Sequence, residues 1–181
     1  LFGFGYFLSN LYWITYSLTH DDIFKIFIPI SLILIPAFLA IFYGLSTLLL
    51  FKFNYNKKIT LILVFSLIFS ILEFLRGNIL TGFPWNLIAF SWSSSLSSLQ
   101  ILSLIGTYSF NLVSITIFSL PFVFFFKNYK KTKIFITFFL LITISLNYFY
   151  GLQILRNKDK INLISSDYVV KIISPTISID R

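Results

Sequence analysis

The chain has 181 residues, of which 57% are hydrophobic, 20% aromatic and only 11% charged, and its net charge is +8. Soluble domains carry roughly 25% charged residues. Together with a mean hydropathy of +0.91, this composition excludes an ordinary soluble domain, a disordered tail and a disulfide-rich secreted module. Cysteine is absent, so the chain carries no disulfide, no thiolate metal site and no cysteine nucleophile. Methionine is absent too and residue 1 is Leu, which leads us to expect a piece of a longer protein.

A helix crossing a bilayer needs about 20 mostly apolar residues. Five stretches qualify, taken in chain order. Residues 2–18 are uncharged and just long enough. Residues 26–51 are uncharged, with Pro29 in the first turn and Pro36 inside, where a kink is expected. Residues 59–75 are apolar except for Glu73. No charge occurs from Gly77 to Phe126, which is too long for one helix. Its best spanning part is 101–126, with Pro121 near the far end, and it leaves a connection over 76–100. The last span is 134–155.

Basic residues orient the spans. Lys52, Lys57 and Lys58 connect the second and third, and Lys127, Lys130, Lys131 and Lys133 connect the fourth and fifth. The opposite connections hold only Lys25 and Arg76, with His20, Asp21 and Asp22. The excess of lysine marks the cytoplasmic side. Residue 1 is then cytoplasmic, the 76–100 connection is an outer loop, and the segment after Leu155 lies outside. The net charge reads as a topology signal, and nucleic acid is not an expected partner.

After Leu155 the character changes. Residues 156–160 are polar, whereas 161–164 and 168–173 are short and rich in β-branched residues, so they read as strands. One strand cannot bury a core, so 156–181 reads as the opening of an external domain. The fold expected for 1–155 is an all-α, multi-pass membrane bundle.

The outer loop is the unusual place. Glu73 is the only acidic residue within a span, and an intramembrane ionisable group is a candidate functional residue. Arg76, three residues on, shares its helix face. The competing reading is a local ion pair at the membrane surface, with Arg76 reaching toward lipid phosphates. Gly82, Phe83, Pro84 and Trp85 form a stiff turn that places an aromatic at interfacial depth. That is either an ordinary aromatic belt or a wall facing lipid or substrate. The stretch through Trp92 and Ser93-Ser94-Ser95 is long for a plain connection and suits an interfacial or re-entrant piece supported by protein packing.

Other candidates read as structural. Gly3, Gly5 and Ser9 suit close helix packing. Tyr12 and Trp13 fit the aromatic belt. His20 beside Asp21 and Asp22 reads as a solvated turn in which Asp22 caps the next helix, rather than as a metal site. Gln100 and Asn111 are expected to hydrogen-bond to neighbouring helices. No nucleophile elbow, zincin motif or phosphate-binding loop occurs.

The run Glu73-Phe74-Leu75-Arg76-Gly77, continuing at Leu80-Thr81-Gly82-Phe83-Pro84-Trp85, resembles the membrane signature of the bacterial apolipoprotein N-acyltransferases. Gly3-Phe4-Gly5-Tyr6-Phe7 with Leu11-Tyr12-Trp13-Ile14 resembles that family's third transmembrane helix. Gln100, Leu104-Ile105-Gly106-Thr107-Tyr108 and Asn111-Leu112 resemble the start of its sixth. The resemblance implies helices three to seven of eight, followed by the first β-strand of a truncated α/β nitrilase-like domain at 156–181, in the bacterial inner membrane. The implied reaction moves an acyl chain from a phospholipid to the amine of an N-terminal diacylglyceryl-cysteine, through a cysteine thioester. Its partners would be the phospholipid donor, the apolipoprotein acceptor and membrane lipids, acting on a monomer without cofactor or metal. The implied Glu, Lys and Cys of catalysis have no counterpart in this chain, and Glu73 is not that Glu, so the chain alone is expected to be inactive. Glu73, Arg76, Thr81, Gly82, Phe83, Pro84 and Trp85 are the implied lipid-cavity candidates. One departure stands out: Ser174-Pro175-Thr176-Ile177 replaces the family's usual Gln-x-Asn-Ile. The alternatives are a non-enzymatic or transporter-like bundle, or a related nitrilase-like membrane protein with another acceptor.

Overall fold

The computed structural model describes residues 1–52, 58–79, 82–127 and 129–158. It is built of helices and turns, and among the described residues there is no strand. Among the described residues there are six α-helices: α1 Phe2–Leu11, α2 Ile28–Lys52, α3 Lys58–Asn78, α4 Leu96–Leu99, α5 Leu102–Ser119 and α6 Lys130–Lys158. Among the described residues, four helical segments are long and apolar enough to cross a membrane, Asp22–Lys52, Ile59–Asn78, Leu102–Phe125 and Lys130–Asn157. They coincide with four of the five expected spans. The strands expected at 161–164 and 168–173 lie outside the described residues.

The first expected span is not one α-helix. At Leu11 the backbone leaves helical geometry (φ −118°, ψ 2°), and Tyr12–Thr19 continue as 3₁₀ helix. Local side-chain bonds accompany the tightening. The hydroxyls of Thr15, Ser17 and Thr19 each donate to the carbonyl three residues back, at 2.7 Å. Such local bonds compete with the α-helical pattern. A 3₁₀ helix rises about 2.0 Å per residue, so the segment keeps its reach while turning more tightly. The second span begins with 3₁₀ turns at Asp22–Phe27 and then runs as α2 without interruption through the buried Pro36. Asp21, not Asp22, caps it: the Asp21 carboxylate accepts from the Ile23 N–H at 3.0 Å. Asp22 instead pairs with Lys25 at 2.6 Å.

Packing proceeds stepwise, α1 along α2, α2 along α3 and α3 along α5. One buried cluster joins Phe7, Leu39, Tyr43, Phe69 and Ile115. Of the small residues in α1, only Gly3 sits at the contact, where a Cβ would come within 2.9 Å of Tyr43 Cβ. Gly5 faces open space and Ser9 is exposed, because a step of two residues turns a helix past its own side. Toward the lysine-bearing end, a second cluster of Ile62, Leu120, Val123 and Ile136 closes the bundle.

Helix α6 is held at its two ends. Near its C-terminus, Gly151 lies against Ser97 of α4 so closely that any Cβ would overlap the Ser97 carbonyl. Asn147 also donates to the Ser98 carbonyl at 3.2 Å. Near its N-terminus, α6 meets the 3₁₀ turns at Leu120–Phe125, where Lys133 Nζ donates to the Phe124 carbonyl at 2.9 Å. Pro121 lies at the start of those turns, and α5 gives way to them there.

The connection from α3 to α5 returns into the bundle. Its 3₁₀ helix, Ile88–Trp92, packs along α5. The indole of Trp92 donates to Ser114 Oγ at 3.0 Å and stacks on Phe118, with ring centroids 5.6 Å apart. α5 is kinked at Gly106 (φ +76°, ψ 168°), and Ser114 lies about 12 Å of helix beyond the kink at the usual rise. Non-α backbone at such depth is tolerated where it is buried in protein. The 3₁₀ segment of this connection is thus supported by protein packing.

Candidate functional site

Helix α3 buries one face: Ile62, Ser66, Phe69, Ser70, Glu73 and Arg76 recur every three or four residues, and all are buried. Glu73 is 1% exposed and Arg76 2% exposed. Both lie inside α3, which runs on to Asn78. The surface ion pair considered from the sequence is therefore not what forms. Arg76 lies two residues before the end of α3 and points under the loop, where its guanidinium is held by the Phe83 and Trp85 carbonyls.

The carboxylate of Glu73 is shared among three helices. Its Oε1 accepts from the Tyr43 hydroxyl of α2 at 3.1 Å and lies 3.6 Å from Arg76 Nη2. Its Oε2 accepts from the side-chain amide of Asn111 in α5. The Asn111 carbonyl in turn accepts from the backbone N–H of Ala89, at 2.9 Å. Asn111 thus bonds across to a neighbouring helix as expected. Gln100 does not, because its amide turns back to the Leu96 carbonyl at 3.0 Å.

Arg76 holds the loop. Its Nη1 donates to the carbonyls of Phe83 at 3.0 Å and Trp85 at 2.9 Å. The guanidinium carbon sits 5.2 Å from the centroid of the Phe7 ring, within the range of a cation–π contact. Its Nε and Nη2 are buried without a hydrogen bond, so Nη2 is left with its ion pair to Glu73. The Phe83 N–H donates to the Arg76 carbonyl at 3.2 Å, which closes the end of α3. The Tyr6 hydroxyl donates to the Asn86 carbonyl at 3.1 Å. The carbonyls of residues 83, 85 and 86 and the N–H of Ala89 are all secured to side chains of the bundle.

Backbone geometry completes the turn. Gly82 has φ +72°, and a Cβ would stand 2.6 Å from the Gly77 carbonyl oxygen, so glycine is required. Asn86 adopts φ +57°, a left-handed conformation that asparagine tolerates better than most residues. Phe83 is half-buried, while Pro84 and Trp85 are exposed. Thr81 lies outside the described residues. Trp85 stacks on Trp13 at 5.1 Å and on Phe83 at 6.0 Å. Beside it, Pro84, Trp85, Leu87, Phe90, Thr107 and Tyr108 line a groove of about 540 Å³. Asn86 also borders this groove, and its amide nitrogen is buried without a hydrogen bond.

Sequence reasoning missed Tyr6, Tyr43, Asn86 and Ala89. Tyr43 left a signal, a phenol well inside an otherwise apolar α2. Ala89 left none, since it contributes only its backbone. His20, Asp21 and Asp22 are exposed and lie away from this centre. Among the described residues, no cluster of His, Cys, Asp or Glu could hold a metal.

The sequence profile of the apolipoprotein N-acyltransferase N-terminal domain matches residues 1–120. The chain belongs to this family. That match covers α1 to α5 and so includes every residue of the buried centre. The chain is 33% identical over 178 residues to the apolipoprotein N-acyltransferase of Rickettsia typhi, covering 98% of this chain and 35% of that protein. It is 37% identical over 121 residues to the one of Rhodopseudomonas palustris, covering 66% and 22%. It is 34% identical over 140 residues to the one of Brucella melitensis, covering 77% and 26%. The chain thus spans about a third or less of these relatives' length. No solved structure matches it.

Proposed function

We propose that this chain is the membrane portion of an inner-membrane acyltransferase of lipoprotein maturation, and that its Arg76-held loop presents phospholipid to the reacting groups. The donor phospholipid gives its acyl group to a cysteine thiolate as a thioester, releasing lysophospholipid. The α-amine of an N-terminal diacylglyceryl-cysteine then attacks the thioester, forming an amide and freeing the thiol. The chain has no cysteine, so in this reading the thioester forms on a nitrilase-like domain outside it. The chain's part is to bind and orient.

One observation carries the reading: a single buried guanidinium donates to both the Phe83 and Trp85 carbonyls. That fixes an exposed tryptophan beside a groove at the end of the bundle opposite the lysines. Placing that end outward follows from the lysine excess at the other end. A fixed aromatic wall orders an acyl chain at little cost in side-chain entropy, the general advantage of preorganised binding.

In the full-length enzyme, Trp85→Ala should slow thioester formation from phospholipid about tenfold or more, as loss of positioning does, with expression unchanged. Trp85→Phe should recover most of the rate. An unchanged rate of thioester formation in Trp85→Ala would overturn the assignment.

A further inference from the structure

The groove beside Trp85 carries polar groups that the bundle itself does not use. Among the described residues, its polar side chains are those of Asn86, Thr107 and Tyr108, and none is charged. The kink at Gly106 breaks α5, so Thr107 and Tyr108 open the stretch of helix beyond it. Gly77, near the end of α3, makes room for the Tyr108 hydroxyl: a Cβ there would collide with it and would stand 3.5 Å from the Cα of Pro84. The hydroxyl is thereby placed where α3, α5 and the loop meet. The Tyr108 ring is held edge-on to Phe74, with centroids 5.0 Å apart.

Two donors here are left to give. The Tyr108 hydroxyl makes no hydrogen bond among the described residues. Asn86 Nδ2 is buried without one, although the Tyr6 hydroxyl secures the Asn86 carbonyl. A donor kept from water without a partner is costly, and an acceptor on a ligand relieves that cost. The chemistry of the acceptor follows from the rest of the groove. A phosphate or carboxylate calls for a cation, and Arg76 is 2% exposed and committed to the Phe83 and Trp85 carbonyls. A wholly polar solute would meet Pro84, Trp85, Leu87 and Phe90 on the walls. A neutral acceptor joined to an apolar chain suits both the donors and the walls, and the carbonyl of a fatty-acyl ester is that group. Depth agrees, since Trp and Tyr settle at the membrane interface, where the ester carbonyls of glycerolipids lie.

We propose that this groove recognises a glycerolipid by a fatty-acyl ester that does not react, with the Tyr108 hydroxyl and the Asn86 amide as the donors available to it. The inference rests on the reading of Trp85 given above and deepens it: Trp85 orders an acyl chain, and the two donors set how deep the glycerol sits. Two molecules in the proposed reaction carry such an ester, the phospholipid donor and the diacylglyceryl-cysteine acceptor.

The test compares ester and ether lipids in both half-reactions of the full-length enzyme, because an ether keeps the chain and removes the carbonyl. In the first arm, thioester formation is followed from a diacyl phospholipid and from one whose non-transferred ester is replaced by an ether. In the second, transfer from the preformed thioester to a diacylglyceryl-cysteine peptide is compared with transfer to its dialkyl analogue. The wild type should prefer the ester lipid by about three- to tenfold in at least one arm, the worth of one neutral hydrogen bond. The arm that shows the preference identifies the source of the ester. Tyr108→Phe keeps the ring on Phe74, and Asn86→Gly keeps the left-handed backbone. Each should bring the preference down toward one by slowing the ester lipid while the ether lipid reacts at its wild-type rate. Three results would overturn the inference: no preference in either arm, a preference that survives both substitutions, or variants that slow ester and ether lipids alike. The reading of Trp85 stands through any of these if Trp85→Ala still slows thioester formation. If Trp85→Ala leaves that rate unchanged, that reading fails and this inference fails with it.

Discussion

Beneath Trp85, α3 buries a glutamate and an arginine, whereas near Lys52 the same helix buries Ile62 against Leu120, Val123 and Ile136. The first end directs its neighbours. Each hydrogen bond from Tyr43, Asn111 and Arg76 has a donor, an acceptor and an angle, so one loop geometry satisfies them together. The second end only excludes lipid and fills space, and several side-chain arrangements can do that. Charge follows the same division: Glu73 and Arg76 are buried and paired, whereas Lys52 and Lys127 are exposed and, among the described residues, have no ion-pair partner. A helix that must hold a re-entrant loop in place uses the first solution where position matters and the second where it does not.

The comparison is broken most strongly at Arg76. Arg76→Met leaves Glu73 buried without its cation and the Phe83 and Trp85 carbonyls without their donor. Breaking one side of a buried ion pair costs about 3–5 kcal/mol. A large drop in apparent melting temperature of the full-length protein in detergent is expected, with faster proteolysis within 82–95. Adding Glu73→Leu should return part of the loss, because the uncompensated carboxylate is gone. If the two changes simply add, the pair is uncoupled and the polar end does not act as a unit.

Asn111→Leu sharpens the comparison by removing one strand of the network while keeping bulk. Glu73 loses a hydrogen-bond donor and the Ala89 N–H loses its acceptor. An unsatisfied buried donor costs about 1–3 kcal/mol. Hydrogen exchange at Ala89 should rise further than exchange in α6, which does not touch Asn111. Equal acceleration across the bundle would mean that Asn111 supports the whole fold and not the loop.

Much of this was legible in the sequence. The spacing of Glu73 and Arg76 put them on one face, the lysines marked one end, and the uncharged stretch from Gly77 to Phe126 was too long for a single helix. What could not be read were the partners. Tyr43, Asn111 and Ala89 reach the centre from elements brought together only by the relative depth and rotation of packed helices, which no local pattern encodes. The choice between the two readings of Glu73 and Arg76 turned on the same partners: both side chains are buried because groups from other elements replace water around their charges. The 3₁₀ geometry of Tyr12–Thr19 left no signal in hydropathy, which reads the segment as an ordinary apolar span.

Ile62→Val tests the apolar end on the same helix. Ile62 is 5% exposed and packs in the cluster with Leu120, Val123 and Ile136. The substitution removes one methylene without adding polarity or altering β-branching, so it should cost about 0.5–1.5 kcal/mol. The effect should be confined to stability. Nearby side chains can shift to fill the space, since no directional bond fixes them, and the Arg76 contacts lie at the far end of α3. The melting temperature should therefore fall slightly while proteolysis within 82–95 keeps its wild-type rate. If loop proteolysis instead accelerates as it does in Arg76→Met, the two ends of α3 are mechanically coupled. The division between a directing end and a space-filling end would then fail.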